Sequence, residues 1–413
     1  MRSQKLRLKP TKEQESLMWW YSKVSRNIWN LLVDIDKRNN KGDFDDLLSK
    51  TGNKTYYSKF YDRDIYSLNQ SDYLNLAKIV VAKNYEEEDK EKWSWYYKPN
   101  QSFIYTSIAR EMVRIRRQNK GKLNFRSIDK ISPSFNVRCD MSANKKRPSR
   151  IYLKDNGKLQ IPTIGDVGFG STRTEFDLSC KKQVANISFD GKYWYLSYTE
   201  DVELQEVDLP EYTSGVGVDL GIKTLATVSD GTTVPNIKTF RRVRILNKRL
   251  KRLQRKVAKK YLINGCNKHN KTKNIIKLER QIKLIYRSLR NIRINHIRKF
   301  VSELVKKQPQ YIAIEDLNVK GMMKNKHLAK DVANCSFYTI REHLIRKAIE
   351  RSIVVRLVDR FYPSSKTCFN CGSCKKDLKL NQRVYHCNTC QEKIDRDLNA
   401  ALNIAKADNY ILA

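Results

Sequence analysis

Cys368-x2-Cys371 and Cys387-x2-Cys390 are two CxxC knuckles with fifteen residues between them. That spacing can bring four thiolates to one tetrahedral point, as in a structural zinc ribbon. Four unrelated reduced cysteines rarely fall into such an arrangement. Cys374 makes a near-knuckle with Cys371 and is a substitute ligand candidate, but no matching cysteine follows it downstream. Directly after the second knuckle comes Asp395-Arg396-Asp397-Leu398-Asn399-Ala400-Ala401. Leu398 to Ala405 are good helix formers, so Asp397 falls on the first turn of a helix. Taken alone, Asp395 and Asp397 would read as helix caps favoured by the N-terminal dipole.

Two other carboxylates stand in matching contexts. The stretch Gly215-Val-Gly-Val-Asp219-Leu-Gly invites a dinucleotide-site reading, but its spacing is GxGxxxG and no Gly-Lys-Ser/Thr is present. A second strand, Thr224 to Val228, and a turn at Asp230-Gly231 follow where a dinucleotide site needs a helix. Asp219 is therefore expected mid-strand in a β-hairpin, where a charge is costly unless it is paired or binds a cation. Tyr311-Ile-Ala-Ile-Glu315-Asp316-Leu317 is another strand that ends in a carboxylate. Converging acids in a basic chain suit a pair of divalent ions about 4 Å apart, which activate water and stabilise a leaving oxygen in phosphodiester cleavage. Oxygen-only ligands favour Mg²⁺ or Mn²⁺. Without a metal, three close carboxylates would repel and raise their own pKa values.

The charge balance agrees with a nucleic-acid partner. The 413 residues carry 82 Lys and Arg against 44 Asp and Glu, a formal net charge of +38. Such an excess calls for a polyanion. No apolar run approaches the length of a membrane span, and the N-terminus shows no signal-peptide core. Cys139, Cys180, Cys266 and Cys335 are scattered singly, as in a reduced, cytoplasmic protein. The five histidines make no ligand spacing.

The elements that must position these groups follow from local patterns. Residues 4 to 9 alternate as a strand ending at Pro10, and Thr11 reads as an N-cap with Glu13 and Gln14 in the first turn. The helix runs on through Trp19, Val24, Ile28 and Leu32. From 40 to 120 the clearest helix is near 102 to 118, with Ile104, Ile108, Met112 and Ile115 at helical spacing and Arg114, Arg116 and Arg117 at its end. Residues 121 to 205 read as a β-rich module, a small barrel with hairpin turns at Asn156-Gly157 and Asp190-Gly191. The acidic stretch 206 to 214 suits a linker. Between 241 and 260, eleven of twenty residues are Lys or Arg with no acid, among them Arg241, Arg242, Lys248 and Arg252. Leu246, Leu250, Leu253 and Val257 still keep a helical seam. Ile275, Leu278, Ile282, Ile285, Leu289 and Ile292 form a second stripe, so two antiparallel helices are expected to zip along apolar faces with basic faces outward. One-signed charge argues for a polyanion on those faces, since solvated faces mix signs.

The order of these pieces resembles the RuvC-like nuclease domain of the TnpB family of transposon-encoded RNA-guided nucleases, and of the related miniature type V CRISPR effectors. The motifs that carry the likeness are Gly217-Val218-Asp219-Leu220-Gly221, Ile314-Glu315-Asp316-Leu317, and the ribbon closing into Asp395 to Ile404. Leu-Lys-Pro10-Thr-x-Glu-Gln14 is similar to the family's opening. Coverage is strong over 213 to 405, suggestive over 1 to 35 and 121 to 205, and weak over 36 to 120. Gln391 departs from the family's usual Gly and strains the second knuckle.

The resemblance implies a multidomain α/β chain. A wedge-like β-barrel would take 1 to 10 and 121 to 205, and a helical recognition insert 11 to 120. A RuvC-like domain of RNase H fold would take 206 to 362, with a basic helical hairpin at 240 to 307. A zinc ribbon at 363 to 392 would be inserted before a closing RuvC-like segment at 393 to 413. It implies Asp219, Glu315 and Asp397 as ligands of two Mg²⁺ or Mn²⁺ ions, and Cys368, Cys371, Cys387 and Cys390 as ligands of one Zn²⁺. It implies a guide RNA, a target duplex DNA recognised beside a short motif, and a single site that cuts both strands. Lys320 to Lys330 would form a lid over that site. Arg116, Arg117, Arg241, Arg242, Lys248 and Arg252 are candidate nucleic-acid contacts. It allows a monomer or a homodimer, cytoplasmic in a prokaryote and nucleoid-associated when on DNA. Two rival readings remain open at this point: a non-catalytic RNA- or DNA-binding repressor, and a guide-independent nuclease of RNase H or resolvase type.

Overall fold

The computed structural model describes residues 2–39, 73–74, 77, 102–118, 123–127, 132–140, 151–161, 164–170, 182–200, 215–265, 271–375, 377–378 and 382–413. It divides into two compact units, Met1–Val202 and Glu203–Ala413. The linker expected at 206 to 214 lies outside the described residues, as do the single cysteines Cys180 and Cys266.

In the first unit, β1 (Arg2–Lys9) leads into α1 (Lys12–Asn39), and α2 is Ser102–Gln118. Thr11 and Gln14 close a reciprocal capping box: Gln14 N donates to Thr11 Oγ1 at 3.2 Å and Thr11 N donates to Gln14 Oε1 at 3.1 Å. Strands β2 (Ser134–Asp140), β3 (Tyr152–Leu153), β4 (Leu159–Ile161), β5 (Gly165–Phe169), β6 (Lys182–Phe189) and β7 (Trp194–Glu200) join β1 in a seven-stranded sheet of order β2-β6-β7-β1-β5-β4-β3. Among the described residues, the strands of the expected barrel form a sheet with β2 and β3 at its ends. Its hairpins turn at Gly157 and Gly191, whose φ angles of 70° and 97° favour glycine. Met18, Ile28, Trp29, Ile108, Met112 and Trp194 are buried between the helices and the sheet.

The second unit is built on a sheet of order β10-β9-β8-β11-β12-β15. Its strands are β8 (Val216–Leu220), β9 (Thr224–Val228), β10 (Thr233–Pro235), β11 (Tyr311–Glu315), β12 (Val354–Val358) and β15 (Tyr410–Leu412). The first three form an antiparallel meander, while β11 lies parallel to both β8 and β12. A parallel neighbour needs a long crossover. Here it is the helix pair α3 (Arg241–Ile263) and α4 (Lys273–Lys306). Val243, Leu250 and Leu253 of α3 pack on Ile285 and Leu289 of α4, and Leu246, Leu278, Ile282 and Ile292 complete the seam. Beyond that seam, Ile297, Phe300, Val301 and Leu304 of α4 turn onto the sheet.

Helices α5 (Val319–Met322), α6 (Ala329–Cys335) and α7 (Phe337–Ile349) connect β11 to β12. After β12 come β13 (Val384–His386) and β14 (Lys393–Asp395), paired antiparallel in the cysteine-bearing insert, and then α8 (Arg396–Lys406).

Strand alternation divides this sheet cleanly. Val216, Val218, Leu220, Ile312, Ile314, Val355 and Leu357 face α4 and α7. Ala313 and Val358 face the other way, against Ile404 and Ala407 at the end of α8. Gly217, Asp219 and Glu315 fall on this second face by the same two-residue period.

Candidate metal and nucleic-acid sites

The site on the α8 face starts from a glycine. A Cβ on Gly217 would come within 2.1 Å of the Ala401 carbonyl oxygen and 2.4 Å of the Ala405 nitrogen, so only glycine lets α8 lie directly on β8. Asp219 is two residues further along the same strand face, and Asp397 is one helical turn before Ala401. Backbone contact at Gly217 therefore sets Asp219 and Asp397 at one level. Glu315 is the last residue of β11, one step beyond Ile314, whose Cα partner in β8 is Val218. Tyr311 ties the far end of the same strand to α8, its hydroxyl donating to Ala405 O at 2.9 Å.

The three acids share a field. Burial, then the charges of Glu315 and Asp397, push Asp219 up to about 8, with Asp395 adding to the rise and Arg396 opposing it. Burial also pushes Glu315 up, against the pull of Ser364, whose Oγ donates to Glu315 Oε1 at 2.6 Å. Asp397 has Arg383 Nη1 3.7 Å from its Oδ1. Asp395 is the helix cap, accepting from Asp397 N at 2.9 Å and Leu398 N at 3.1 Å. Asp316, next to Glu315, is committed elsewhere: Arg341 at 2.6 Å and Arg360 at 3.0 Å hold it. The donor set of the trio is oxygen-only and carries surplus negative charge, which fits hard divalent cations.

The sulfur site is tighter. The Sγ atoms of Cys368, Cys371, Cys387 and Cys390 all lie within 4.8 Å of one another, and no other group of three or more candidate ligands gathers so closely among the described residues. The Cys368–Cys390 and Cys371–Cys387 separations are both 3.6 Å. A tetrahedron of Zn–S bonds about 2.3 Å long has edges of about 3.8 Å, so the four thiols fit zinc. Cys374 is exposed and stands apart, bridged to Thr367. Gln391 sits at φ 59°, where the first knuckle has Gly372 at φ 74°, so the position that departs from glycine does take a left-handed backbone.

Sequence reasoning missed the groups that join ribbon to helix. Asn399 Nδ2 donates to Thr367 O at 2.7 Å and Asn399 Oδ1 accepts from Phe369 N at 3.0 Å. Asn403 Nδ2 donates to Ser364 O at 2.7 Å and to Thr367 O at 2.6 Å. Both asparagines are buried. Their spacing of four on the apolar face of a helix was the available signal, since a buried amide must find partners.

Of the candidate nucleic-acid contacts, Arg241, Arg242, Lys248 and Arg252 are exposed on α3. Arg116 and Arg117 lie in the last turn of α2, and their side chains are outside those described. Lys320 to Lys330 spans α5 and the start of α6, directly after the Glu315 strand. No helix among the described residues is long and apolar enough to cross a membrane.

The stretches that carry these two sites are similar to known proteins. Residues 197–326 match the OrfB_IS605 family, described as "Probable transposase", and residues 337–404 match the "Cas12f1-like, TNB domain". A Streptomyces pristinaespiralis protein named "Putative RNA-guided DNA endonuclease" is 33% identical over 198 residues, which are 48% of this chain and 46% of that protein. InsQ of Escherichia coli K12, which carries the same description, is 28% identical over 63% of this chain and 64% of its own length. The Micrarchaeota archaeon "CRISPR-associated endodeoxyribonuclease Cas12f2" is 26% identical over 54% of this chain and 42% of its own. The aligned part thus spans less than two thirds of each relative. Through residues 197–326 and 337–404, and as its motifs suggested, the chain is similar to the OrfB_IS605 and Cas12f1-like TNB families and to proteins named TnpB-like and Cas12f2.

Proposed function

We propose that the chain is an RNA-guided DNA endonuclease, with Asp219, Glu315 and Asp397 as its cleavage centre. The observation that carries this reading is the shared face: two strand carboxylates and one helix carboxylate, with Asp219 raised to about 8 by burial and by its two neighbours. A half-buried trio of like charges is costly, and divalent cations relieve it. The named activity of the aligned relatives supports the same reading.

In this reading the three acids hold two Mg²⁺ or Mn²⁺ ions. Bound there, such ions supply an activated water and a counter-charge for the leaving oxygen. The chain's own residues do the rest. Ser364 fixes Glu315, Asp395 fixes the start of α8, and Gly217 keeps that helix against the strand. The cysteine ribbon holds one structural zinc and enters α8 directly. The sheet of the second unit is RuvC-like, the first unit serves as wedge and recognition parts, and the segment from Lys320 to Lys330 is a lid. The basic face of α3 holds nucleic-acid backbone, and guide–target pairing supplies sequence specificity.

The test is cleavage of target DNA by purified protein, with and without co-purified RNA, over a Mg²⁺ and Mn²⁺ series. Asp219→Ala is expected to abolish cutting while guided binding remains. Cutting that needs no RNA would point to a guide-independent nuclease; binding without cutting under any metal would point to a repressor.

A further inference from the structure

At the carboxyl end of β11, Glu315 also lines a cavity of about 290 Å³. Leu220, Ile314, Leu317 and Phe337 give it an apolar floor on the α7 side of the sheet, around the strand end from the face that carries Asp219, and Lys320, Tyr338, Arg341 and Arg360 stand around it. Tyr338, on the cavity's rim, is 58% exposed and leaves its ring open to a partner. The Arg341 guanidinium lies 5.6 Å from the centre of that ring. Asp316 grips both arginines, at 2.6 Å and 3.0 Å, from the strand end that carries Glu315. Half-exposed ion pairs of this kind add little stability. What they do is hold two guanidiniums in fixed positions, and three cations around the cavity outnumber the two carboxylates.

A cavity near the lower end of ligand-pocket sizes, about 300 Å³, admits one nucleotide and excludes a duplex. An apolar floor with an exposed aromatic ring suits the face of a base, and guanidinium and ammonium donors suit the phosphates beside it. We propose that this cavity is a subsite for one unpaired nucleotide of the strand presented to Glu315: Tyr338 stacks on the base, while Arg341, Arg360 and Lys320 hold the adjoining phosphates. Asp316 is then a positioning residue for the two arginines. The inference rests on the nuclease reading only for the identity of the strand as DNA.

The experiment uses the full chain with its co-purified RNA in an Asp219→Ala background, so that stacking is read without cutting. Single-stranded DNA oligonucleotides, each with one 2-aminopurine at a different position, are titrated and their emission followed. The expected result is quenching at one or two adjacent positions. Tyr338→Ala is expected to lose that quenching and to bind roughly ten-fold more weakly, while Tyr338→Phe retains both. Arg360→Gln is expected to lower the slope of log affinity against log salt by about 0.7, the loss of one single-strand phosphate contact. Quenching that is absent, or unchanged in Tyr338→Ala, overturns the proposal. Metal-dependent cleavage by the unsubstituted chain is measured alongside. Cleavage without stacking removes the subsite and leaves the nuclease reading; stacking without cleavage does the reverse.

Discussion

Gly217 and Ala401 touch backbone to backbone: any side chain at Gly217 would drive into the Ala401 carbonyl, with 2.1 Å between that oxygen and the added carbon. The contact is the gauge that sets α8 on β8. Gly217→Ala is expected to push the helix outward, costing about 1–3 kcal/mol as overpacking does. Denaturant unfolding checks the stability, and cleavage is expected to fall further than stability alone explains because Asp397 moves with the helix. Full cleavage in that variant would separate the helix from the centre.

The raised pKa of Asp219 has a definite sign. A carboxyl that holds its proton up to about 8 in the folded chain, against 3.8 as its ordinary value, binds more protons folded than unfolded between those pH values. Stability of the metal-free protein should therefore fall as pH rises from about 4 to 8. Asp219→Asn is expected to flatten that decline and to unfold at higher temperature than the parent at pH 8. Added Mg²⁺ should stabilise the parent at pH 8 and leave Asp219→Asn nearly unmoved. Thermal unfolding across pH, with and without the ion, reads both effects.

Ser364 lowers the pKa of Glu315 through its hydrogen bond, against the effect of burial. Ser364→Ala is expected to raise that pKa and so shift the half-saturating Mg²⁺ concentration for cleavage upward, most strongly at low pH. A metal requirement that does not change with pH in this variant would remove Ser364 from the site.

The cysteine assignments separate by metal content. Cys387→Ser is expected to lose zinc and ribbon together, whereas Cys374→Ser keeps one zinc per chain, since Cys374 stands outside the close group. Elemental analysis of the two purified variants decides it. Gln391→Gly should stabilise the ribbon by about 0.5–1 kcal/mol, because φ 59° costs a side chain what it does not cost glycine.

Much of this was legible along the chain, because the signals were local. Strand alternation placed Asp219 and Glu315, helix propensity placed Asp397, and knuckle spacing picked out the four cysteines. The capping of α1 by Thr11 was equally readable, as was the helix from 102 to 118. What stayed hidden depends on neighbours far off in sequence. The spacing around Gly215-Val-Gly already spoke against a phosphate loop, but the reason for Gly217 shows only when α8, nearly two hundred residues later, is seen lying on it. Ser364 carries no motif of its own, and the roles of Asn399 and Asn403 show only where the helix after the ribbon packs back on the residues that enter it. In the β-rich module, the expected strands did not include β2 or β5, and closure depends on the pairing of sheet ends, which periodicity does not encode.

The cysteine insert has one more consequence. β14 runs straight into α8, and Asn399 and Asn403 bind the helix back to the residues that enter the insert. The third carboxylate is thus hung on a fold whose four thiols a zinc ion would hold together, while the other two hang on the sheet. A chelator that strips the sulfur-bound ion should silence scission while the sheet still melts cooperatively. Under the proposed function, cutting would then be conditional on two kinds of metal of different chemical character, one at the sulfur site and one at the carboxylates.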